Sequence, residues 1–596
     1  MELGADFAAL QELLIPSASE HTVLLTNVLC RERRSLNGPW KAIIDPYDTG
    51  YVNILGAVNR RGFHRDHKPR SPSDRVEYDF DTSMELTVPG DWNTQDPSLL
   101  YYEGTVWLRT TFEGGIEFDR SFLNFGAANH TARVFLDGVH LGTHVGGFGQ
   151  FAFEVTDLVG PGEHSLVVQV NNRREATRIP AMRSDWWNFG GITRSVDLVS
   201  VPETFLRDAW VTMAPDGSLV GGATVDGPPA HVTLELPDLG VELATTEPNG
   251  EGQVDLSLSA AAAATIERWN PGRPLLHQVR WTCGSDVITD EVGFRTVRTE
   301  GTQILVNDEP TFLRGISLHA EGPTGGRRAR GADDAETLLG WAVELGANFV
   351  RLAHYQHDEF MVKEADRRGL LVWTELPVYW GIAFDDEAVL ANGLAQADEL
   401  VIRDRSRASV VLLSVANETL PGDDRLRFLT GLVDRVRSLD ATRLTTAALL
   451  TLPSADPEVH VTDELGAAID VVAINQYLGW YYGERDTIAE TRFTTAFGKP
   501  IIFSELGAGA KHGQHGTADE IWTEEFQAAV YEAQIAMVRG QNECAGLSPW
   551  ILKDFRTPLR VLPGVQDGYN RKGLVSEEGE PKLAFSILRD FYREIS

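Results

Sequence analysis

The stretch Ser409-Val410-Val411-Leu412-Leu413-Ser414-Val415-Ala416-Asn417-Glu418-Thr419 (SVVLLSVANET) is a nearly unbroken apolar run that stops on an amide beside a carboxylate. A run this rich in valine and leucine reads as a strand buried on both faces. Such strands belong to parallel sheets wrapped by helices. The C-terminal ends of those strands are where α/β barrels and open α/β sheets gather their chemistry. Asn417 and Glu418 are therefore candidate site residues; the structural alternative is a cap that starts the next helix.

Working outward, seven further apolar runs share this character: Phe312 to Leu318, Ala347 to Leu352, Leu370 to Trp373, Arg443 to Ala447, Ile469 to Ile474, Pro500 to Phe503 and Ala545 to Pro549. Amphipathic segments lie between most of them, such as Leu426, Leu429, Leu432, Val433 and Val436 at three-four spacing. Eight strand–helix units in roughly 300 residues is the size of a (β/α)8 barrel. The fifth run is equally readable as helix.

In such a barrel the residues that follow each strand share one face. Here they are His319, His354, Glu375, Asn417 with Glu418, Asn475, Glu505 and Trp550. Glu505 repeats the pattern of Glu418, a carboxylate ending an apolar run, and strands four and seven can face each other across the mouth. Two carboxyl groups about 5 to 5.5 Å apart carry out retaining glycoside hydrolysis, one protonated as acid and one ionised as nucleophile. Their proximity itself separates their proton affinities. The competing reading is structural ion pairing with barrel arginines such as Arg351.

Before the barrel, residues from about 20 to 200 read as short strands with turn signals, including Asp137-Gly138 between two β-rich runs, a hairpin mark. This predicts a jelly-roll sandwich over 1–202. Residues 203–297, with runs such as His231 to Leu236, suit a small immunoglobulin-like sandwich. The barrel is expected over 298–596. The tract Ala260 to Ala264 reads as a short helix-prone connection.

Composition narrows the function. At 596 residues the chain is too long for one core, and its formal charge of −33 argues against nucleic acid or anionic membrane surfaces as partners. Three dispersed cysteines, Cys30, Cys283 and Cys544, form neither a disulfide framework nor a metal motif. The histidines lack zinc-ligand spacing, and no G-x-G-x-x-G opens a helix, so no metal or cofactor is expected. Glu2 and Asp6 without a basic-then-apolar leader point to a cytoplasmic enzyme, and Asn129-His130-Thr131 reads as a chance sequon.

Three domains in the order jelly roll, immunoglobulin-like, barrel resemble the glycoside hydrolase family 2 enzymes over nearly the whole chain. Asn417-Glu418 resembles the family's acid/base motif and Phe503-Ser504-Glu505 its nucleophile motif. The resemblance implies Glu418 as acid/base, Glu505 as nucleophile and Asn417 as holder of the sugar 2-hydroxyl. Thr419 stands where family members often carry proline, a departure that alters the loop's stiffness and keeps the carboxylate.

Within the family the residues are most similar to the β-glucuronidases. Asn475-Gln476-Tyr477-Leu478-Gly479-Trp480-Tyr481 resembles their N-x-Y-x-G-W-Y segment. That implies a Tyr477 bond to the nucleophile and Tyr481 near the substrate carboxylate. Ser184 to Ile192 resembles a jelly-roll loop reaching the barrel mouth, where Asp185 would bind sugar hydroxyls. Asn570-Arg571-Lys572 resembles the N-x-K grip on a uronate carboxylate, with Arg560 a further ligand. Charge agrees: Lys553, Arg556, Arg560, Arg571 and Lys572 face only Asp554 and Asp567 between Ile551 and Lys572, in a chain otherwise acidic. His319 and His354 could orient substrate or one another; Glu375 reads as a third acid in the site or as a salt-bridge partner, outside the catalytic pair. Tyr379 to Phe384 is expected to shape the aglycone side.

The expectation is a retaining exo-β-glucuronidase acting on small-molecule or oligosaccharide β-glucuronides, working as a homo-oligomer. The alternatives are a β-galacturonidase, a β-galactosidase or β-mannosidase, and a noncatalytic carbohydrate-binding protein.

Overall fold

A computed structural model of the chain describes residues 19–52, 55, 57–58, 71, 73–74, 76–115, 119–451 and 457–596. The reading of Glu2 and Asp6 falls outside these residues.

Eight parallel strands close into a barrel in chain order. They are β1 (Leu313–His319), β2 (Phe349–Ala353), β3 (Leu371–Glu375), β4 (Val410–Asn417), β5 (Leu444–Leu450), β6 (Val471–Asn475), β7 (Ile501–Glu505) and β8 (Cys544–Leu547). Each overlaps one of the eight apolar runs, and the ambiguous fifth is a strand. Every residue of β4 is buried, as a strand covered on both faces demands. Leu412 and Leu413 sit on opposite sides of it, one in the barrel interior with Phe349 and Trp373, the other against the helical shell. Full burial of each such leucine contributes about 1.5–3 kcal/mol.

The helices take their places for local reasons. Asp423–Leu439 presents Leu429, Leu432, Val433 and Val436 of the three-four stripe to the core together with Phe428, while Leu426 is only partly buried. Glu359–Arg368 is started by Asp358 accepting from the Phe360 amide, and ends at Gly369 in the left-handed region (φ 73°). A small antiparallel sheet, Val297–Glu300, Gln303–Val306 and Glu309–Pro310, packs its Val297, Ile304 and Val306 onto the interior layer of Leu313, Phe349 and Leu371. It closes the barrel end opposite the strand C-termini.

The N-terminal region folds as two antiparallel sheets, one of six strands and one of four. Their inward residues, among them Trp40, Leu108, Leu123, Val134, Phe151 and Val168, form one core. Asp137 and Gly138 both have positive φ (49° and 80°), the two-residue turn that matches strand twist, between Thr131–Leu136 and Val139–Val145. A second sandwich pairs a three-stranded sheet with a four-stranded one around Leu234, Val279 and Trp281. Between its strands Ala260–Ala263 is a single helical turn, its Ala262 amide bonded to Ser259 Oγ. No helix among the described residues is long and apolar enough to cross a membrane.

Candidate active site

The strand C-termini surround a cavity of about 280 Å³. Its walls include Glu418, Asn475, Tyr477, Tyr481, Glu505, Trp550, Arg560, Lys572 and Asp185, residues scattered over nearly 400 positions of sequence. His354, Tyr379, Trp380, Leu450, Thr451 and Tyr482 complete the lining.

Local backbone sets Glu418. β4 ends at Asn417, whose amide donates to Val378 O (2.9 Å) and whose carbonyl accepts from the Trp380 amide (3.0 Å). Glu418 then turns into the left-handed region (φ 50°) while its amide donates to Ala448 O on β5 (2.8 Å). A non-glycine residue there carries a conformational cost and is held by its surroundings. The side chain accepts from Trp380 Nε1 (2.9 Å) and Asn475 Nδ2 (3.1 Å).

Burial and the nearby Glu505 charge push the Glu418 carboxyl up to about 7; the bonds from Trp380 and Asn475 pull the other way. A carboxyl so placed keeps its proton near neutrality, which is what a general acid needs.

Glu505 is positioned from two sides. Tyr477 donates to its Oε2 (2.6 Å), and Arg351, fully buried inside the barrel, donates to its Oε1 (2.8 Å). Arg351 also donates to Asn417 Oδ1 (2.7 Å) and Glu375 Oε1 (3.1 Å). Burial alone would lower the Arg351 pKa, but Glu375 and Glu505 outweigh it and raise it. Burial likewise opposes the Glu375 charge, and Arg351 with His354 overcome that, so its carboxyl lies below the usual range. Glu375 is thus an ion-pair partner beneath the cavity floor, with Trp373 Nε1 at 3.0 Å and His354 Nδ1 at 2.8 Å. His354 stacks on Trp550, ring centroids 4.8 Å apart.

Asn417 lies just behind the wall. Its Oδ1 is taken by Arg351 and Asn475 (3.2 Å), while its Nδ2 is buried without a partner among the described residues. An orphaned donor at a site floor invites a ligand acceptor. His319 is set farther back, 5.2 Å from Trp550 and 4.2 Å from Phe555 between ring centroids. Burial, then the neighbouring His354, hold it neutral, well below its usual value.

At the opposite side Lys572 Nζ donates to Tyr481 Oη (2.8 Å) and sits over the Tyr477 and Tyr481 rings. Among the described residues no carboxylate pairs with it, although it is only 4% exposed. Burial would raise the Tyr481 phenol, but Lys572 and Arg560 lower it. Asp185 is tied to the barrel by Thr557 Oγ1 (2.7 Å), Arg560 Nη2 (2.7 Å) and Asn570 Nδ2 (3.0 Å). Asn570, one layer behind the wall, accepts the Lys572 amide (3.2 Å).

The basic stretch 551–572 divides. Lys553 pairs with Glu321 (3.4 Å), Arg571 with Asp554 and Glu577, and Arg556 covers Trp187 and Tyr569. Only Arg560 and Lys572 reach the cavity, so the basic pocket is narrower than the count of charges implied. Sequence reasoning also missed the Trp380 bond to Glu418, and Thr451 and Tyr482 as walls. Trp380 follows β3 by five residues, and no pattern in the chain says which way an indole in a loop will point.

Comparison with known proteins places this geometry among relatives. The description "Glycosyl hydrolases family 2, TIM barrel domain" matches residues 297–596, and "Glycosyl hydrolases family 2, sugar binding domain" matches 34–202. A protein named beta-glucuronidase from Paenibacillus borealis is 26% identical over 96% of this chain and 98% of its own length. One of the same name from Rattus norvegicus is 29% identical over 95% and 91%. Among solved structures, a beta-glucuronidase of an uncultured Clostridium sp. is 25% identical with a TM-score of 0.79, covering 95% of this chain and 98% of that one. A GH2 beta-galacturonidase from Eisenbergiella tayi bound to galacturonate, at 24% identity and TM-score 0.79 over 97% and 99%, shares the fold.

Proposed function

The chain belongs to glycosyl hydrolase family 2, and from that premise we propose that it is a retaining exo-acting β-glucuronidase. The observation that carries the specificity is Lys572: a nearly buried ammonium without a carboxylate partner among the described residues, facing the same cavity as Glu418 and Glu505. A buried cation left unpaired is costly, and a substrate carboxylate removes that cost. Relatives named beta-glucuronidase over almost the full chain support the same reading.

In this reading Glu418, protonated, delivers its proton to the glycosidic oxygen while Glu505 attacks the anomeric carbon. A glycosyl–Glu505 ester forms and the aglycone leaves. Glu418, now a base, takes a proton from water, which attacks the anomeric carbon and releases glucuronate with retention. Arg351 and Tyr477 hold the Glu505 oxygens, Asn475 holds Glu418, and the free Asn417 Nδ2 donates to the 2-hydroxyl. Lys572, Tyr481 and Arg560 meet the C6 carboxylate, with Asn570 holding Asp185 and the Lys572 amide from behind; Trp550 backs the ring, and Asp185 meets a sugar hydroxyl. His319 acts at one remove, through Trp550. A cavity of about 280 Å³ suits one terminal sugar.

We assign the chain to three domains, 1–202, 203–297 and 298–596, and to a cytoplasmic homo-oligomer. The β-galacturonidase alternative differs at the sugar 4-hydroxyl. Parallel assays with nitrophenyl β-glucuronide, β-galacturonide and β-glucoside test the assignment, with fastest turnover expected on the glucuronide. Glu505→Ala should abolish turnover, and azide should restore it with an inverted product. Binding without turnover would leave a carbohydrate-binding protein instead.

A further inference from the structure

Tyr379 lines the catalytic cavity without a task in the steps above. Two backbone bonds pin it to the end of β4: Val378 O accepts from the Asn417 amide (2.9 Å), and Asn417 O accepts from the Trp380 amide (3.0 Å). Tyr379 is thereby paired with Asn417 in a short parallel bridge. Its ring is wedged among three others, with centroids 4.8 Å from Trp186, 4.9 Å from His354 and 4.6 Å from Trp380. A side chain held at its base and on three sides is fixed by packing, as a selective contact requires.

The phenol is the polar tip of this wedge. Tyr379 is only 5% exposed, yet among the described residues its Oη has no hydrogen-bond partner. A buried tyrosine hydroxyl ordinarily has one. Burial, then the charges of Glu418, Asp185 and Glu505, hold the phenol's pKa well above its usual value, so it stays protonated and able to donate.

The order of groups around the cavity says which part of a sugar the phenol meets. The anomeric carbon lies between Glu418 and Glu505, and Asn417 serves the 2-hydroxyl. The C6 carboxylate lies at Lys572, and Asp185, bonded to Arg560 (2.7 Å), stands next to that end. Tyr379 falls between them: its backbone pairs with Asn417, and its ring meets Trp186, the chain neighbour of Asp185. On a pyranose ring the position between C2 and the C4 end is C3. Resting on the β-glucuronidase reading, we propose that Tyr379 is a substrate-binding residue whose phenol holds the sugar 3-hydroxyl, and that, with Trp186 behind it, the site accepts only glucuronyl groups whose 3-hydroxyl is free. Chain ends sulfated or branched at O3 are excluded. Tyr379 thus serves the sugar side of the site rather than the aglycone side.

Nitrophenyl β-glucuronide and its 2-deoxy, 3-deoxy and 3-O-methyl analogues test this, each assayed for kcat/KM with the wild-type chain and with Tyr379→Phe. In the wild type both analogues changed at C3 should be slower than the parent by about thirtyfold or more, because a site built to bond a hydroxyl rejects a ligand without it. Tyr379→Phe should lose about tenfold on the parent, the size of one bond between uncharged groups. On the 3-deoxy analogue the two enzymes should agree within about threefold, since the bond is absent from both. The 2-deoxy penalty should be the same in both enzymes. Each penalty is a ratio within one enzyme preparation, so it does not depend on the fraction folded. A 3-deoxy penalty of equal size in the two enzymes would overturn the assignment, and so would a 2-deoxy penalty that shrinks alongside it. Wild-type turnover of the 3-O-methyl analogue at the parent's rate would overturn it without any variant. All three leave the β-glucuronidase reading standing. No turnover of nitrophenyl β-glucuronide itself would overturn both.

Discussion

Arg351 Nη1 lies 2.8 Å from Glu505 Oε1, and both side chains are buried inside the barrel. Through the same guanidinium, Glu505 is joined to Asn417 on β4 and Glu375 on β3. One side chain from β2 therefore sets the relative positions of groups from three other strands. Replacing it by Met leaves two carboxylates buried without their cation. Breaking one partner of a buried pair costs about 3–5 kcal/mol. Arg351→Met should lower the thermal midpoint strongly and abolish turnover. Arg351→Lys keeps the charge without the planar fork; it should recover part of the midpoint while kcat stays far below wild type. A Lys variant with full kcat would show that the fork is not needed.

Glu418 titrates near 7 because burial and the Glu505 charge both favour its protonated form. The acid is required protonated, so kcat/KM should fall as pH rises above about 7. Stability follows the same sign. A carboxyl whose folded pKa lies above its unfolded value of 4.5 costs nothing below pH 4.5, and its full penalty appears above about 7. Glu418→Gln should therefore stabilise the chain at pH 8 by at most about 3 kcal/mol and have no effect near pH 4. Scanning calorimetry at the two pH values reads the difference; an equal effect at both would reject the shifted carboxyl.

Trp380 Nε1 donates to the ionised form of Glu418 and so lowers its proton affinity. Trp380→Phe removes the donor and keeps an aromatic ring. The basic limb of kcat/KM should move to higher pH, the opposite of what Glu505→Gln does to Glu418 when the neighbouring charge disappears. The first is read from the pH–rate profile and the second from titration of the Glu418 carboxyl in an inactive variant. Shifts of the same sign in both variants would contradict this account.

The barrel was legible because burial on both faces imposes nearly continuous apolar runs, and each of the eight runs is a strand. The two sandwiches were legible from short strands and turn chemistry, with Asp137-Gly138 the clearest case. Glu418 and Glu505 were legible as strand-end carboxylates, and the Tyr477 bond through a family motif. Arg351 was legible as an ion-pair partner of strand-end carboxylates, and it pairs with Glu375 and Glu505; that the same guanidinium also holds Asn417 was not. An arginine inside an apolar strand shows in sequence as an interruption, and only closure of the barrel reveals which three neighbours it touches. The basic stretch misled for a related reason: charges close in sequence were paired by Glu321, Asp554 and Glu577 in space.

Lys572 should separate binding of the uronate from catalysis in general. Lys572→Ala removes a charge-assisted bond from a dry site and should lower kcat/KM on nitrophenyl β-glucuronide by about 10²–10³-fold. On the matching glucoside, which offers no carboxylate, the loss should be small or reversed, since an unpaired cation has gone. Tyr481→Phe, which removes the hydroxyl bonded to Lys572 Nζ, should have a milder effect in the same direction, about tenfold. Equal losses on both substrates would remove Lys572 from the specificity argument.

Asn417 Nδ2 is a buried donor at the cavity floor without an acceptor among the described residues. Its partner Oδ1 is fixed by Arg351 and Asn475, so the amide cannot flip to satisfy the nitrogen internally without placing an acceptor's bonds on a donor. A sugar 2-hydroxyl approaching the anomeric site fits this vacancy, and bonds to that hydroxyl strengthen in the transition state. A 2-deoxy-β-glucuronide should therefore lose the contribution in the wild-type chain, and Asn417→Ala should lose it on the normal substrate, each by about 10²–10³-fold in kcat. Applied together, the two changes should cost little more than either alone. Full additivity would mean that the amide acts only through Arg351 and Asn475, and that the 2-hydroxyl is held elsewhere.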